Sequence, residues 1–259
     1  MAKKNYASRT IRGKLRVCRY LLTESHIGKY VPRTVKFNRL NLEMMCSKYS
    51  SLYVKPDIGS LGIGICKIKK SADGYVLQRI VGKRQLKEQY RNVSDIYASM
   101  NRSKQGSLII QQGIGLDRVN NRPYDIRVMV QRKPGGSWVC TGYMVKVGVE
   151  NKIVTNYYQG GSIYTLNKLH SQLQLTKEEG ERRRGRLTTA ALDVAKVLSK
   201  KKSGMHEMGI DFAYDSDRRL WILEVNSNHP QFHPLKSINR KAFDKMKEYA
   251  ASYGRYDAK

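Results

Sequence analysis

Apolar positions in this chain recur first at helical spacing, then at strand spacing, then at helical spacing again. Leu15, Cys18, Leu21 and Leu22 lie three and four residues apart, which predicts a helix over residues 13–30, ended at Gly28. Pro32 opens an extended stretch. A second helix fits residues 40–49, with Leu42, Met44 and Met45 on one face. Short strands follow. Residues 52–55 are apolar, the glycine-rich turn KPDIGSLGIG comes next, and residues 63–69 alternate as a strand should. Asp73-Gly74 is a hairpin-turn signal that pairs residues 75–81 back onto them. Residues 84–105 are polar and predicted helical in part. Further strands fit residues 107–112, 124–132 and 137–149, the last two joined by Pro134-Gly135-Gly136.

After residue 170 the period returns to that of a helix. Thr176 and Glu179 have capping-box spacing, and Leu187, Ala190, Ala191, Val194, Val197 and Leu198 form one apolar stripe. Strands 209–214 and 220–225 flank the polar turn DSDRR. A last helix carries Ile238, Ala242, Phe243, Met246, Tyr249 and Ala250 on its apolar face. Antiparallel strands alternating with helices predict an α+β fold, and no internal repeat is visible.

Composition bounds the function classes. The chain has 259 residues, 40% of them apolar, enough to bury a sizeable core in one large domain or two modest lobes. No apolar run approaches the roughly 20 residues needed to cross a bilayer. The N-terminus MAKKNYASRTIRGK has no apolar stretch behind its charges, which predicts no secretory leader. Cys18, Cys46, Cys66 and Cys140 are scattered, so reduced thiols in a cytoplasmic protein are expected. The 49 Lys and Arg outnumber 21 Asp and Glu, a net charge of +28. Eleven of those cations fall in residues 1–39 against one acid, Glu24. Other clusters are Arg182, Arg183, Arg184 and Arg186, and Lys200 to Lys202. Such an excess calls for an anionic partner: nucleic acid, an acidic membrane surface or an anionic substrate.

Two constellations carry chemistry. In GIDFAYDSDRRLWILEVNSNHP, Asp211 and Glu224 stand 13 residues apart across a hairpin, so they are neighbours on the paired strands. Asn226 shares a strand face with Glu224. Three oxygen-bearing side chains on one surface suit a hard cation such as Mg²⁺. The other is Lys55-Pro56 followed by Gly59-Ser60-Leu61-Gly62-Ile63-Gly64, where glycines let backbone N–H groups approach a polyphosphate. It is neither a Walker loop nor a dinucleotide fingerprint, since a strand follows it and no GK[ST] closes it.

The order of Lys55-Pro56 with its glycine hairpin, IIQQGI, YDIRVMVQ and GIDF…LWILEVN resembles the ATP-grasp superfamily, over roughly residues 13–235. Within it the chain resembles the YheC/YheD-type, endospore-coat-associated branch. The resemblance implies an ATP-grasp fold in which two α+β lobes with antiparallel sheets clasp ATP. It divides the chain into a basic tail (residues 1–12), an ATP-grasp domain (13–235) and a C-terminal helix (236–259). Within that domain, residues 50–115 form the small nucleotide lobe and 116–235 the larger lobe.

The resemblance also implies residue roles. Lys14 and Lys55 contact ATP phosphates, and Gly59, Ser60 and Gly62 belong to a flap over them. Gln111, Gln112, Gly113 and Ile114 form the adenine hinge, and Asp117 holds the ribose. Arg127, in the DxR strand with Asp125, faces phosphate or the substrate carboxyl, and Lys146 stands where relatives usually carry arginine. Arg127 could instead pair with Asp125. Asn156 and Gly160-Gly161 resemble the substrate loop, and Asp211, Glu224 and Asn226 match a two-Mg²⁺ site.

The activity implied is an ATP- and Mg²⁺-dependent carboxylate–amine ligase working through an acyl phosphate, on a small molecule or an acidic peptide. Two other readings stay open: a kinase of a phosphorylated small molecule, and a non-catalytic basic protein binding an anionic polymer such as nucleic acid. Family members usually carry a further domain before the first lysine, so a partner protein or a dimer is expected to complete the acceptor site. Sporulation and the spore coat follow from the resemblance alone, and no membrane partner is expected.

Overall fold

The computed structural model describes residues 4–59, 62–82, 84–101, 106–155 and 157–257. The first third of the chain alternates helices and strands: α1 (Lys14–Leu21), α2 (Ser25–Gly28), β1 (Thr34–Lys36), α3 (Arg39–Lys48), β2 (Ser51–Pro56), β3 (Cys66–Ser71), β4 (Gly74–Val81), β5 (Arg84–Tyr90), α4 (Val93–Asn101) and β6 (Leu108–Gln112). Their strands make an antiparallel sheet in the order β1-β6-β2-β3-β4-β5. This sheet takes in β1, upstream of residue 50, and α3 packs against it.

The single helix expected over residues 13–30 is two. The hydroxyl of Thr23 donates to the carbonyl of Tyr20 at 2.9 Å, competing for the helix's own acceptors, and Leu22 is left half exposed. Residues 84–90 carry no apolar alternation because β5 is an edge strand without a fully buried residue.

The rest builds a second sheet. It comprises β7 (Arg118–Val119), β8 (Arg122–Gln131), β9 (Val139–Val147), β10 (Ser162–Tyr164), α5 (Leu166–Gln172), α6 (Lys177–Lys201), β11 (Glu207–Tyr214), β12 (Leu220–Asn226), α7 (Leu235–Ile238) and α8 (Arg240–Ser252). Its order is β10-β9-β8-β11-β12, antiparallel throughout, with β7 beside β8. The capping box is realised. Thr176 accepts the N–H of Glu179, whose carboxylate accepts the N–H of Thr176, and this starts a 25-residue helix.

Alternation assigns the faces. In β8, Tyr124, Ile126, Val128 and Val130 pack against Leu187, Ala191, Val194 and Leu198 of α6, joined by Val17, Cys18 and Leu21 of α1. On the opposite face Met129 sits with Met144, Phe243 and Met246 under α8. Further along that face Asp125 and Arg127 are left to a cleft. The first sheet behaves alike: Leu52, Val54 and Ile110 join Leu42, Met45 and Ile96 in its core. Tyr53, Lys55 and Gln111 alternate to the other side, and all three line the cleft. Each sheet therefore buries one face beneath helices and turns a polar face toward the other. Among the described residues no helix is long and apolar enough to cross a membrane.

Candidate active site

The cleft between the two polar faces encloses about 1620 Å³, above the roughly 300–1,000 Å³ of a pocket for one small ligand. Lys14, Lys55, Gly59, Gly62, Gln111, Gln112, Ile114, Arg127, Lys146, Asp211, Glu224 and Asn226 all line it, as do Gly160 and Gly161. Ser60 and Asn156 lie outside the described residues. Gly113 and Asp117 are not on the cleft wall. Gly113 packs onto β2, where a Cβ would meet Ser51 Oγ at 2.5 Å. The Asp117 carboxylate accepts the hydroxyl of Tyr124 at 2.6 Å and the N–H of Arg118 at 2.8 Å.

Lys14 is placed by a contact that sequence pattern does not single out. Asp57, two residues after Lys55, caps α1 from another part of the chain. Its carbonyl accepts the N–H of Lys14 at 3.0 Å and its carboxylate that of Leu15 at 2.8 Å. Gly13, at φ 94°, makes the approach available, since a Cβ there would lie 2.9 Å from Asp57 Oδ2. The Lys14 ammonium then donates to the Gly59 carbonyl at 3.0 Å and sits 3.3 Å from Glu224. One lysine thus bridges the glycine turn and the carboxylate of the opposite sheet.

Lys55 is buried. Its ammonium donates to Gln111 Oε1 at 2.8 Å and reaches the carbonyl of Leu223 at 3.5 Å. That carbonyl is free because of a bulge: Asp211 pairs with Glu224 and Phe212 with Ile222, so Leu223 has no partner on β11. Gln111, read from sequence as part of the adenine hinge, has its side chain anchored to Lys55 and donates to Thr34 Oγ1 at 3.1 Å. Burial pushes the Lys55 ammonium below its usual range, opposed by the charge of Glu224.

The larger sheet carries a ladder of charges whose order is dictated by strand register. Asp125 stands opposite Lys146, Arg127 opposite Asp211, and Asp211 opposite Glu224. Arg127 grips Asp211 with a two-pronged contact, Nε to Oδ1 and Nη2 to Oδ2, both 2.8 Å. Lys146 bridges Asp125 at 2.7 Å and Asp211 at 3.0 Å. The alternative pairing of Arg127 with Asp125 does not form. Asp125 instead takes Lys146 and the hydroxyl of Thr155.

Burial would raise the Asp211 carboxyl, but Arg127 and Lys146 outweigh it and hold the group below the usual carboxylate range. Burial dominates at Asp125 and pushes it up. Burial alone would lower the Lys146 ammonium, but Asp125 and Asp211 hold it above its ordinary value.

The donor set fits a hard cation in its chemistry. Two carboxylates and an amide oxygen from adjacent strands face one cleft, and the Glu224 side chain is 34% exposed. Asn226 Oδ1 accepts the N–H of Asn228 at 3.0 Å, which orients the amide and leaves a second lone pair. Among the described residues no cluster of three His, Cys, Asp or Glu side chains could hold a metal alone, so Asn226 and ligand oxygens would complete the shell.

Two antiparallel sheets facing each other across a cation-lined cleft define the ATP-grasp fold, and the sequence comparisons agree. A family model described as YheC/D-like ATP-grasp matches residues 3–256, so the chain belongs to that family. Among curated proteins it is 26% identical over 245 residues to the endospore coat-associated protein YheD of Bacillus subtilis strain 168. That match covers 90% of this chain and 53% of YheD. It is 22% identical over 226 residues to YheC of the same organism, covering 87% of this chain and 62% of YheC. The chain therefore spans between half and two-thirds of the length of these relatives.

Solved structures share the fold at low identity. The C-terminal domain of K. lactis Pby1, an ATP-grasp enzyme interacting with the mRNA decapping enzyme Dcp2, has a TM-score of 0.52 and 14% identity, over 89% of this chain and 69% of that one. N5-carboxyaminoimidazole ribonucleotide synthetase from Thermotoga maritima has a TM-score of 0.51 and 13% identity, over 96% and 51%. An L-amino acid ligase from Bacillus licheniformis has a TM-score of 0.50 and 13% identity, over 84% and 40%.

Proposed function

We propose that this domain is an ATP- and Mg²⁺-dependent carboxylate–amine ligase. The observation that carries the reading is the convergence in one cleft of Lys14, Lys55 and Arg127 with Asp211, Glu224 and Asn226, from both sheets. Lys14, which donates to the Gly59 carbonyl, and Lys55 serve to hold polyphosphate. Arg127 and Lys146 serve to offset the charge of a substrate carboxylate and of the transferred phosphoryl group. Mg²⁺, held by Asp211, Glu224 and Asn226, would neutralise charge on the phosphates when bound. The carboxylate takes the γ-phosphoryl group, an amine displaces phosphate from the resulting acyl phosphate, and an amide forms. The protein's part is positioning and electrostatic stabilisation.

An acidic peptide acceptor fits the charge around the entrance. Arg12 lines the cleft and is exposed, as are Arg16 and Arg19 on α1.

ADP release screened over amino acids and acidic peptides tests the reading. Release that requires Mg²⁺ and an added amine, and is lost in Glu224→Gln, is the expected result. Release without an amine would assign a kinase instead. Failure of ATP with Mg²⁺ to raise the melting temperature would overturn both and leave a polyanion-binding protein.

A further inference from the structure

The loop after β12 begins at Ser227 and is held by both ends of the described chain. Ser227 is buried; its hydroxyl accepts the N–H of Ile11 at 3.1 Å. Its carbonyl accepts the Lys4 ammonium and the Thr10 hydroxyl, each at 3.0 Å. Two residues on, His229 adopts φ 61°, an uncommon backbone state for a residue with a Cβ. Its ring lies 3.2 Å from the hydroxyl of Tyr6 and 3.4 Å from Asp257. The carbonyl of Pro230 accepts from Arg255 at 3.0 Å. Gly209 lets this loop lie against β11, for a Cβ there would sit 3.0 Å from that of Pro230.

Beneath the loop, Glu207 is fully buried and gathers the same segments. Arg255 contacts it at 2.6 Å, Tyr253 at 3.0 Å, Tyr6 at 2.5 Å and Lys4 at 3.3 Å. Residues 4–11, expected from sequence to form a basic tail, are therefore a strap. Residues 253–257 are its counterpart, and Glu207 is the peg to which both are tied. The proposed ligation and catalysis use none of these groups, yet all converge on the residues that follow Glu224 and Asn226.

The geometry points to a positioning role. Through Ser227, the strap of residues 4–11 fixes the end of β12, so that Glu224 and Asn226 present their oxygens to a divalent cation in one arrangement. The inference rests on the Mg²⁺–nucleotide reading above. Groups that orient metal ligands from behind commonly change metal affinity or activity 10- to 100-fold when removed. Ser227 is placed to act in that way: it neighbours a proposed ligand, and three hydrogen bonds from the strap end on it.

The test reads metal binding without turnover. Wild type, Glu224→Gln, Ser227→Ala, Thr10→Val and Thr10→Ser are titrated with Mg²⁺ in the presence of ADP. The thermal shift gives the metal midpoint, and amide exchange is followed over residues 224–229. Ser227→Ala and Thr10→Val are expected to raise the midpoint about 10-fold and to speed exchange in that segment. Thr10→Ser, which keeps the hydroxyl, is expected to match wild type. Wild-type midpoints in Ser227→Ala and Thr10→Val, beside a lost shift in Glu224→Gln, would overturn the inference and keep the ligase reading. A wild-type chain without any Mg²⁺-dependent shift would overturn both. A midpoint raised equally in Thr10→Ser would also overturn the inference, since the hydroxyl would then not be the cause.

Discussion

Strand β11 carries two buried carboxylates four residues apart on the same face, Glu207 and Asp211, in opposite surroundings. Glu207 has no accessible surface and is closed in by Arg255, Tyr253, Tyr6 and Lys4, drawn from the two ends of the chain. Asp211 has cations of its own, Arg127 from β8 and Lys146 from β9, and it opens onto the cleft beside the half-exposed Glu224. The same chemical group is a fastening at one end of the strand and a working part at the other. Whether a cleft or a loop covers the face decides which. A buried charge with every partner supplied from the protein is structural; one bordering a cavity retains capacity for a ligand.

The largest effect is expected where this contrast is driven to its limit. Glu224→Gln should lower turnover about 10²–10³-fold, the scale seen when one preorganised electrostatic contact is removed. Its stability should change by under about 1 kcal/mol, because its pair with Lys14 is partly exposed and screened by solvent. Steady-state kinetics beside urea denaturation would show the split, and a loss in the denaturation midpoint alone would break the comparison. Arg255→Met should do the reverse at the other carboxylate. It leaves Glu207 buried without its strongest partner, at a cost of about 3–5 kcal/mol. Chemical denaturation measures it.

Acid probes Asp211 directly. The Asp211 carboxyl is held below the usual range, so its contribution is complete above the unfolded value of about 3.9. It is lost as pH falls through the folded value. Asp211→Asn should therefore flatten the stability curve below about pH 4, which denaturation across pH 2–6 would reveal. A curve as steep as wild type would assign the acid sensitivity elsewhere. The smallest effect belongs to the exposed pair of Lys133 with Glu248, where Lys133→Ala should leave the melting midpoint and turnover unchanged.

Much of the cleft was legible because β-strand alternation is local. Asp125 and Arg127, two apart in an apolar strand, had to share a face, and Asp211 and Glu224 had to meet if residues 215–219 turned. Both hold in the register. Partner choice was not legible. Arg127 takes Asp211 across the sheet and leaves Asp125 to Lys146 and Thr155, a choice made by which strands lie side by side. Gly113 and Asp117 were read beside the other hinge residues but do not line the cleft: Gly113 packs onto Ser51, and the Asp117 carboxylate accepts from Tyr124, contacts no local pattern records.

Periodicity, turn residues and the order of motifs were enough to determine the α+β class, the faces of the strands, the family and a set of candidate residues most of which line the cleft. Each of these depends on contacts within a few positions or on residue type. Only the tertiary structure decided that Asp57 caps α1, that a bulge turns the carbonyl of Leu223 to Lys55, and that residues 4–11 strap the end of β12. Those contacts join positions 42 to 216 residues apart. No local period records them, because they form only when separate elements are packed together.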